Sequence, residues 1–382
     1  MNLELLLRLL PQTFRLRRSS LHYPSWRRIT AVGLLLPLAT LGLGVNWLCL
    51  GLDRWLFPGY RRQATGRVAF ITGVPRSATS FLFHLLGEDR ARVTCFRLWE
   101  ILLAPSVLQK YCWLALLRLD GRVGRPLRRM ARWLEKRLFA RMAHVHPLSL
   151  AQPEEDEVLL LHPLATAYLC YFFPEAQALA PYLYFDEQLS PRAKARAMHF
   201  YRACVQRHNY VFNRDESRLF LSKNPAFTPK LRALHQWFPT ARVLYLLRSP
   251  YRTIPATISL NAHLYGAFCH LPEPYPMQAR TQDMVIAWYR MAQAAQADYP
   301  EEQWRTVLFN ALTRDTLTEV AAIYAFLDLP LDGAQRARVQ AQAARPYHSQ
   351  HRYDPQVGLD EGLIQAQLHF LPDELRRWPK AP

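Results

Sequence analysis

The stretch that most limits what this chain can become is VAFITGVPRSATSFLFHLLG, Val68 to Gly87. Its first five residues are apolar or β-branched without alternation, the pattern of a strand covered on both faces, which belongs inside a parallel sheet. A tight turn opening on Gly73 follows, then a helical pattern beginning near Ser77. Strand, glycine turn and helix in that order aim backbone N–H groups and the positive end of a helix at an anion. Further apolar strand candidates lie at Val93 to Phe96, Leu219 to Ser222, Val243 to Leu247 and Val307 to Phe309, separated by helical patterns over 229–237, 281–297 and 316–327. Strands alternating with helices predict an α/β fold with a central, mainly parallel sheet flanked by helices.

The turn is not built for a nucleoside triphosphate. In a GxxxxGK[ST] loop the lysine reaches the β- and γ-phosphates and the next hydroxyl holds magnesium; aligned on Gly73, this chain has Ala78 at the second glycine and Thr79 at the lysine. What remains is Gly73, Pro75, the permanently charged Arg76 and the hydroxyls of Ser77, Thr79 and Ser80, a set that fits a compact 5′-phosphate. Arg248 closes another strand candidate and precedes a helix carrying Thr257 and Ser259. An arginine there points into the crevice where open α/β sheets bind ligands, so two separated phosphates are expected, with Arg252 as the alternative cation and two surface charges as the plain structural alternative. Lys223, at the end of a third strand, adds positive potential for a leaving group. Glu155, with Asp156 and Glu157 as alternatives in the acidic run PEEDE, is the candidate proton acceptor; an acidic helix start is the plain structural alternative.

A formal charge of +18 points to anionic partners. From Ile29 to Leu52 the chain carries no charge, long enough to span a hydrocarbon core, and Pro37, Gly42 and Gly44 allow a bent or re-entrant helix pair. Arginines flank both ends, so the positive-inside rule sets no orientation. Residues 1–66 are therefore expected to form a membrane anchor, transmembrane or re-entrant, and 67–382 the catalytic domain. An insertion at about 106–143 interleaves Arg and Lys with Trp, Leu, Met and Phe, as in a helix lying on an anionic bilayer, a solvated lid being the alternative. No nucleic-acid module accompanies these arginines, so nucleic acid is not an expected partner. Six scattered cysteines without CxxC or metal-ligand spacing predict a reducing compartment and no metal.

With these residues in view, the chain resembles the sulfotransferases that use 3′-phosphoadenosine 5′-phosphosulfate (PAPS), over roughly Arg67 to Pro372. Their Pro-Arg/Lys-Ser-Gly-Thr-Thr loop is matched by Pro75 to Ser80, and their Arg-x-Pro motif by Arg248 and Pro250. The stretches PEEDE, SKNP and HRYDPQVGLDEGLI are similar to the bacterial-type branch. The resemblance implies a P-loop-like fold and sulfuryl transfer from PAPS, without metal, to a hydroxyl. The loop would hold the 5′-phosphosulfate, Arg248 the 3′-phosphate, and Arg76 and Lys223 the charge on the departing oxygen. Pro225 stands where cytosolic relatives carry a basic histidine, which turns the search for a base to the acidic run. With the anchor, it implies a membrane-associated protein facing the cytoplasm and a hydroxylated lipid-like or small apolar acceptor. Besides Pro225, three departures bear on these expectations: Ala78 replaces the loop glycine and needs a negative φ or strain; Ala256 replaces the 3′-phosphate serine, leaving Thr257 or Ser259 to substitute; and Phe309, Asn310 and Ala311 replace the late Tyr-Glu-Asp element. A membrane-bound, catalytically weak nucleotide-binding protein is the second expectation.

Overall fold

The computed structural model describes residues 2–138, 149–273, 275–343 and 359–377. Five parallel strands form one sheet in the order β2-β3-β1-β4-β5. They are β1 (Val68–Thr72), β2 (Val93–Thr94), β3 (Leu219–Lys223), β4 (Arg242–Leu247) and β5 (Trp304–Leu308). The central strands follow the apolar runs closely; the edges do not. β2 is cut to two residues because the chain leaves the sheet to pair Arg97 with Pro153. β5 begins three residues before its expected start, since an edge strand with Arg305 and Thr306 less covered hides in the sequence as a polar stretch.

Both faces of the sheet are covered. Ala69 and Ile71 pack with Leu82, Leu86 and Ile323 on one side, while Val68 and Phe70 join Tyr201, Phe220 and Phe227 on the other. The alternation follows from the period of two along a strand. After β1 the chain passes to the edge strand β2, returns through β3 beside β1, then crosses to β4 and β5 on the other side. That reversal opens a crevice at the carboxyl ends of β1, β3 and β4, where α/β sheets bind ligands.

Residues 2–66 are not an appendage: Leu5, Leu9 and Leu50 share one apolar cluster with Val68 and Phe70. The uncharged run lies within one continuous helix, Trp26–Leu56, long and apolar enough to cross a membrane, and is not a helix pair. A π-helical turn over Ala31–Leu35 precedes Pro37. The wider turn absorbs the missing proline N–H and the clash of its ring with the carbonyl four residues back, so the chain need not reverse. In the insertion, helix Val107–Arg122 joins helix Pro126–Leu138 through Gly124 and Arg125, both at positive φ; the expected remainder, 139–143, and 351–358 of the similar tail lie outside the described residues.

Candidate active site

The loop after β1 is shaped by a glycine that nothing else can replace. Gly73 has φ 149°, and a Cβ there would stand 2.5 Å from the Leu246 carbonyl oxygen and 2.7 Å from Ser77 Oγ. Its N–H donates to Thr228 Oγ1 at 3.2 Å, and Thr72 Oγ1 donates to the Asn224 carbonyl at 3.0 Å, so β1 and the turn after β3 share one framework. Arg76 (φ 70°) and Ala78 (φ 75°) are both left-handed. For residues with a Cβ that costs roughly 1–2 kcal/mol each. A negative φ at Ala78 is thus not adopted; the strain is. Helix Thr79–Gly87 starts two residues later than the pattern predicts because Ala78 is its left-handed cap. Ser77 Oγ, at the mouth of that helix, is buried and makes no hydrogen bond among the described residues, which suits a hydroxyl kept for an anion.

Arg248 and Thr257 clamp this loop from the side of β4. The Arg248 guanidinium donates to the Arg76 carbonyl at 2.8 Å and lies 4.0 Å over the ring of Phe309, the residue that replaces the expected tyrosine. Thr257 donates to the carbonyls of Thr253 at 2.6 Å and Pro75 at 3.3 Å. Ser259, two residues further along helix Pro250–Phe268, lies roughly 200° around its axis. Of the two hydroxyls expected at this edge, Thr257 is the one whose bond to the loop, at Pro75, is seen among the described residues.

The acidic run separates into different environments. Asp156–Leu161 is a 3-10 helix, in which successive side chains diverge by about 120°. Glu155, just before it, takes a hydrogen bond from Lys223 Nζ at 2.9 Å and another from the hydroxyl of Tyr168. Burial alone would lower the Lys223 pKa, yet the carboxylates of Glu155 and Glu154 hold it above the ordinary lysine value. Tyr168 is pushed well above its usual value by burial and by Glu155, so it stays protonated and donates. Asp156 points into the core, accepts from Tyr201 at 2.5 Å and is pushed up to about 7, chiefly by burial. Glu157 is enclosed by Thr166 at 2.5 Å, Lys230 at 2.8 Å and Asn224 at 3.4 Å. Asp156 and Glu157, offered by the sequence as alternative bases, are therefore occupied in the core and do not line the cavity; only Glu154 and Glu155 of the run do.

That cavity, about 410 Å³, joins the elements. Pro75, Arg76, Ala78, Thr79 and Ser80 line it from the loop, with Gly73 and Ser77 behind them and Lys223 behind Glu155. The rest of its wall is mostly apolar and aromatic, including Leu102, Tyr168, Tyr171, Leu264, Phe268 and Trp288. Sequence reasoning missed this wall and Tyr168; the aromatic density of AYLCYFF was the one available sign. Among the described residues, no group of three or more His, Cys, Asp or Glu is placed to hold a metal ion.

The sequence model of the sulfotransferase family matches residues 69–333. Over 120 residues the chain is 31% identical to the omega-hydroxy-beta-dihydromenaquinone-9 sulfotransferase Stf3 of Mycobacterium bovis, and to that of Mycobacterium tuberculosis. This similarity covers 31% of the chain and spans 30% of the length of those relatives. Sulfotransferase STF9 from Mycobacterium avium superposes with a TM-score of 0.68 at 18% identity, covering 88% of this chain and 83% of that one. Sulfotransferase STF1 from Mycobacterium tuberculosis gives 0.67 at 20% identity, covering 96% and 92%. At those identities the likeness is one of fold.

Proposed function

The chain belongs to the sulfotransferase family, and on that footing we propose that it transfers a sulfuryl group from PAPS to the hydroxyl of an apolar, membrane-resident acceptor. One observation carries the reading: a single cavity is lined both by the loop after β1, with its arginine and hydroxyls, and by an apolar aromatic wall, with Glu155 among the residues of the same lining. Ser77, buried with no hydrogen-bond partner among the described residues, and the N-terminus of helix Thr79–Gly87 would receive the 5′-phosphosulfate. Arg248, held over Phe309, would take the 3′-phosphate, assisted by Thr257.

In the proposed step the acceptor oxygen attacks sulfur in line while the bond from sulfur to the 5′-phosphate oxygen breaks. The hydroxyl proton passes to Glu155, and adenosine 3′,5′-bisphosphate departs with the electron pair. An alcohol is too weakly acidic to react unaided, so a carboxylate in the lining supplies the base. Arg76 and Lys223 would stabilise the charge growing on the departing oxygen. PAPS is a co-substrate in this scheme, and no resident metal is invoked.

The acceptor class rests on the apolar wall and on the name of Stf3, which specifies a hydroxylated menaquinone. The six cysteines are free thiols, in keeping with a cytoplasmic face of the membrane. The test is incubation of the purified protein with labelled PAPS and a total lipid extract, followed by mass spectrometry for a gain of one sulfuryl group. Arg76→Ala and Glu155→Gln should cut the signal by about a hundredfold or more; an Arg76→Ala variant as fast as the parent refutes the role of the loop. The strain at Ala78 and the engaged Thr257 hydroxyl favour one rival, a nucleotide binder with little turnover. Calorimetry with adenosine 3′,5′-bisphosphate separates the two, since tight binding without product from any lipid fraction supports the rival.

A further inference from the structure

A single helix of 31 residues with an uncharged middle would ordinarily be taken to carry the chain across a bilayer. Here the segments on both sides of it are built into the body that holds the cavity. Before it, Leu5 and Leu9 are in the core, the backbone N–H of Leu21 donates to Glu175 at 2.7 Å, and His270 donates to the Leu21 carbonyl at 3.2 Å. At its start, the fully buried Arg28 donates to the carbonyls of Thr13, at 3.0 Å, and of Phe172, while Arg27 donates to Gly266 at 3.1 Å. Towards its end, Asn46 donates to the Leu102 carbonyl at 3.0 Å, and Asp53 accepts from Val107 and Leu108 and pairs with Arg207 at 2.7 Å. The pins at Arg28 and Asp53 are about 38 Å apart along the axis. A helix fastened to one body at both ends cannot deliver those ends to opposite sides of a membrane.

Its outer face is unpartnered and apolar. Leu34, Leu38, Leu41, Val45, Leu48 and Leu52 recur at steps of four and three, which is one stripe of a helix, and all six are exposed. Asn46, Leu50 and Asp53 occupy the opposite face, against the domain. Trp26 and Trp55, 81% and 85% exposed, mark the two ends, beside the exposed Arg27 and Arg54. Aromatic rings and arginines at the ends of an apolar segment are the arrangement that suits lipid headgroups, anionic ones above all.

We propose that helix Trp26–Leu56 lies in the plane of one anionic leaflet as a strap, its leucine stripe among the acyl chains and both flanking segments on the same side of the membrane. The pins also meet the cavity: Leu102 lines it, and Gly266 stands between the lining residues Tyr265 and Phe268. A strap seated in the leaflet brings those walls to the bilayer, where an apolar acceptor resides.

The test reads topology and binding, neither of which depends on sulfate transfer, so its failure is distinct from failure of the proposed reaction. Arg17→Cys and Arg62→Cys, both at exposed positions, are made separately in the full chain carrying Cys49→Ser and Cys112→Ser, and sealed membranes are treated with an impermeant maleimide. Equal labelling of the two sites, before and after the membranes are opened, is expected; one site reacting only after opening overturns the strap in favour of a span. In flotation with vesicles of phosphatidylcholine and phosphatidylglycerol, the parent should float, and a variant with Leu34→Glu, Leu41→Glu and Leu48→Glu should lose binding by about tenfold or more. A parent that stays with the soluble fraction, or a triple variant that floats as well as the parent, overturns it.

Discussion

Replacing Glu155 by glutamine separates two effects that its carboxylate exerts together. Lys223 and Glu155 stand 2.9 Å apart, with side chains 2% and 18% exposed, so solvent does little for a charge left alone there. Removing one member of such a pair costs about 3–5 kcal/mol. The glutamine carbonyl can still accept from Lys223, and Glu154 adds a second negative field, which sets the expected loss at the low end, about 3 kcal/mol or roughly a hundredfold in the folding equilibrium. Lys223→Met in the same background removes the stranded charge. Urea midpoints for the parent, the two single variants and the double variant should then show a coupling of about 2 kcal/mol, the double variant recovering much of what Glu155→Gln lost. Sulfuryl transfer from labelled PAPS, measured on the same four proteins, should fall by about 10²–10⁴ in Glu155→Gln and not return in the double variant. Because Lys223 is held above its ordinary value of 10.5, the pair's stabilisation is complete below that pH and is lost as pH rises through the raised value. Glu155→Gln should lack that alkaline loss. Additive midpoints would refute the buried pair, and transfer that returned with stability in the double variant would refute Glu155 as the base.

Arg76→Ala leaves the left-handed backbone at that position as strained as before, so its melting temperature should stay near the parent's while transfer drops by about 10²–10³; an unfolded variant would undo this expectation. Ala78→Gly relaxes a φ of 75° that the unliganded protein already adopts, so the urea midpoint should rise, within the roughly 1–2 kcal/mol that a left-handed alanine costs; an unchanged midpoint would refute strain at that position. Asp156, pushed up from 3.8 to about 7 by burial, holds its proton in the folded state after the unfolded chain has released it, so the parent should lose stability as pH rises across that window. Asp156→Asn, still able to accept from Tyr201, should flatten that slope in chemical denaturation and keep its transfer activity. Loss of transfer in a folded Asp156→Asn protein would return Asp156 to the list of bases.

The central strands were legible because β1, β3 and β4 are covered on both faces and therefore read as unbroken apolar runs. At the edges that signal fails, as β5 shows, where Arg305 and Thr306 interrupt the run. The loop residues and Arg248 could be singled out from residue type and order, and the Arg248 guanidinium does donate to the Arg76 carbonyl of that loop. Which carboxylate faces the cavity was not readable: Glu155, Asp156 and Glu157 are neighbours in the chain, and only the onset of a 3-10 helix at Asp156 sends them to Lys223, Tyr201 and Lys230 respectively. Tyr168 and the aromatic wall carry no motif at all, because an apolar pocket needs shape and not a fixed order of residues.

The uncharged run shows the limit most clearly, and it bears on how an acceptor would reach the site. Hydropathy counts residues along the chain, whereas the placement of this helix is decided by two polar ones on its inner face, Asn46 and Asp53, and by Arg28 at its start. An aspartate within an apolar helix would be costly in lipid. Here it accepts the first backbone N–H groups of helix Val107–Arg122 and the Arg207 guanidinium, so its charge is met by the domain before any bilayer is reached. The helix is thereby committed along one side to protein and left free along the other. In the proposed reaction, a free apolar side pinned over elements that line the cavity would connect the reacting groups to an apolar supply of alcohol without exposing either to the other. If the pin at Asp53 is what fixes this arrangement, Asp53→Asn should loosen the 107–122 helix, seen as faster amide exchange at Val107 and Leu108, before it affects the folding of the sheet. Simultaneous exchange of helix and sheet would show that the strap is no separate unit and that its placement is set by the core as a whole.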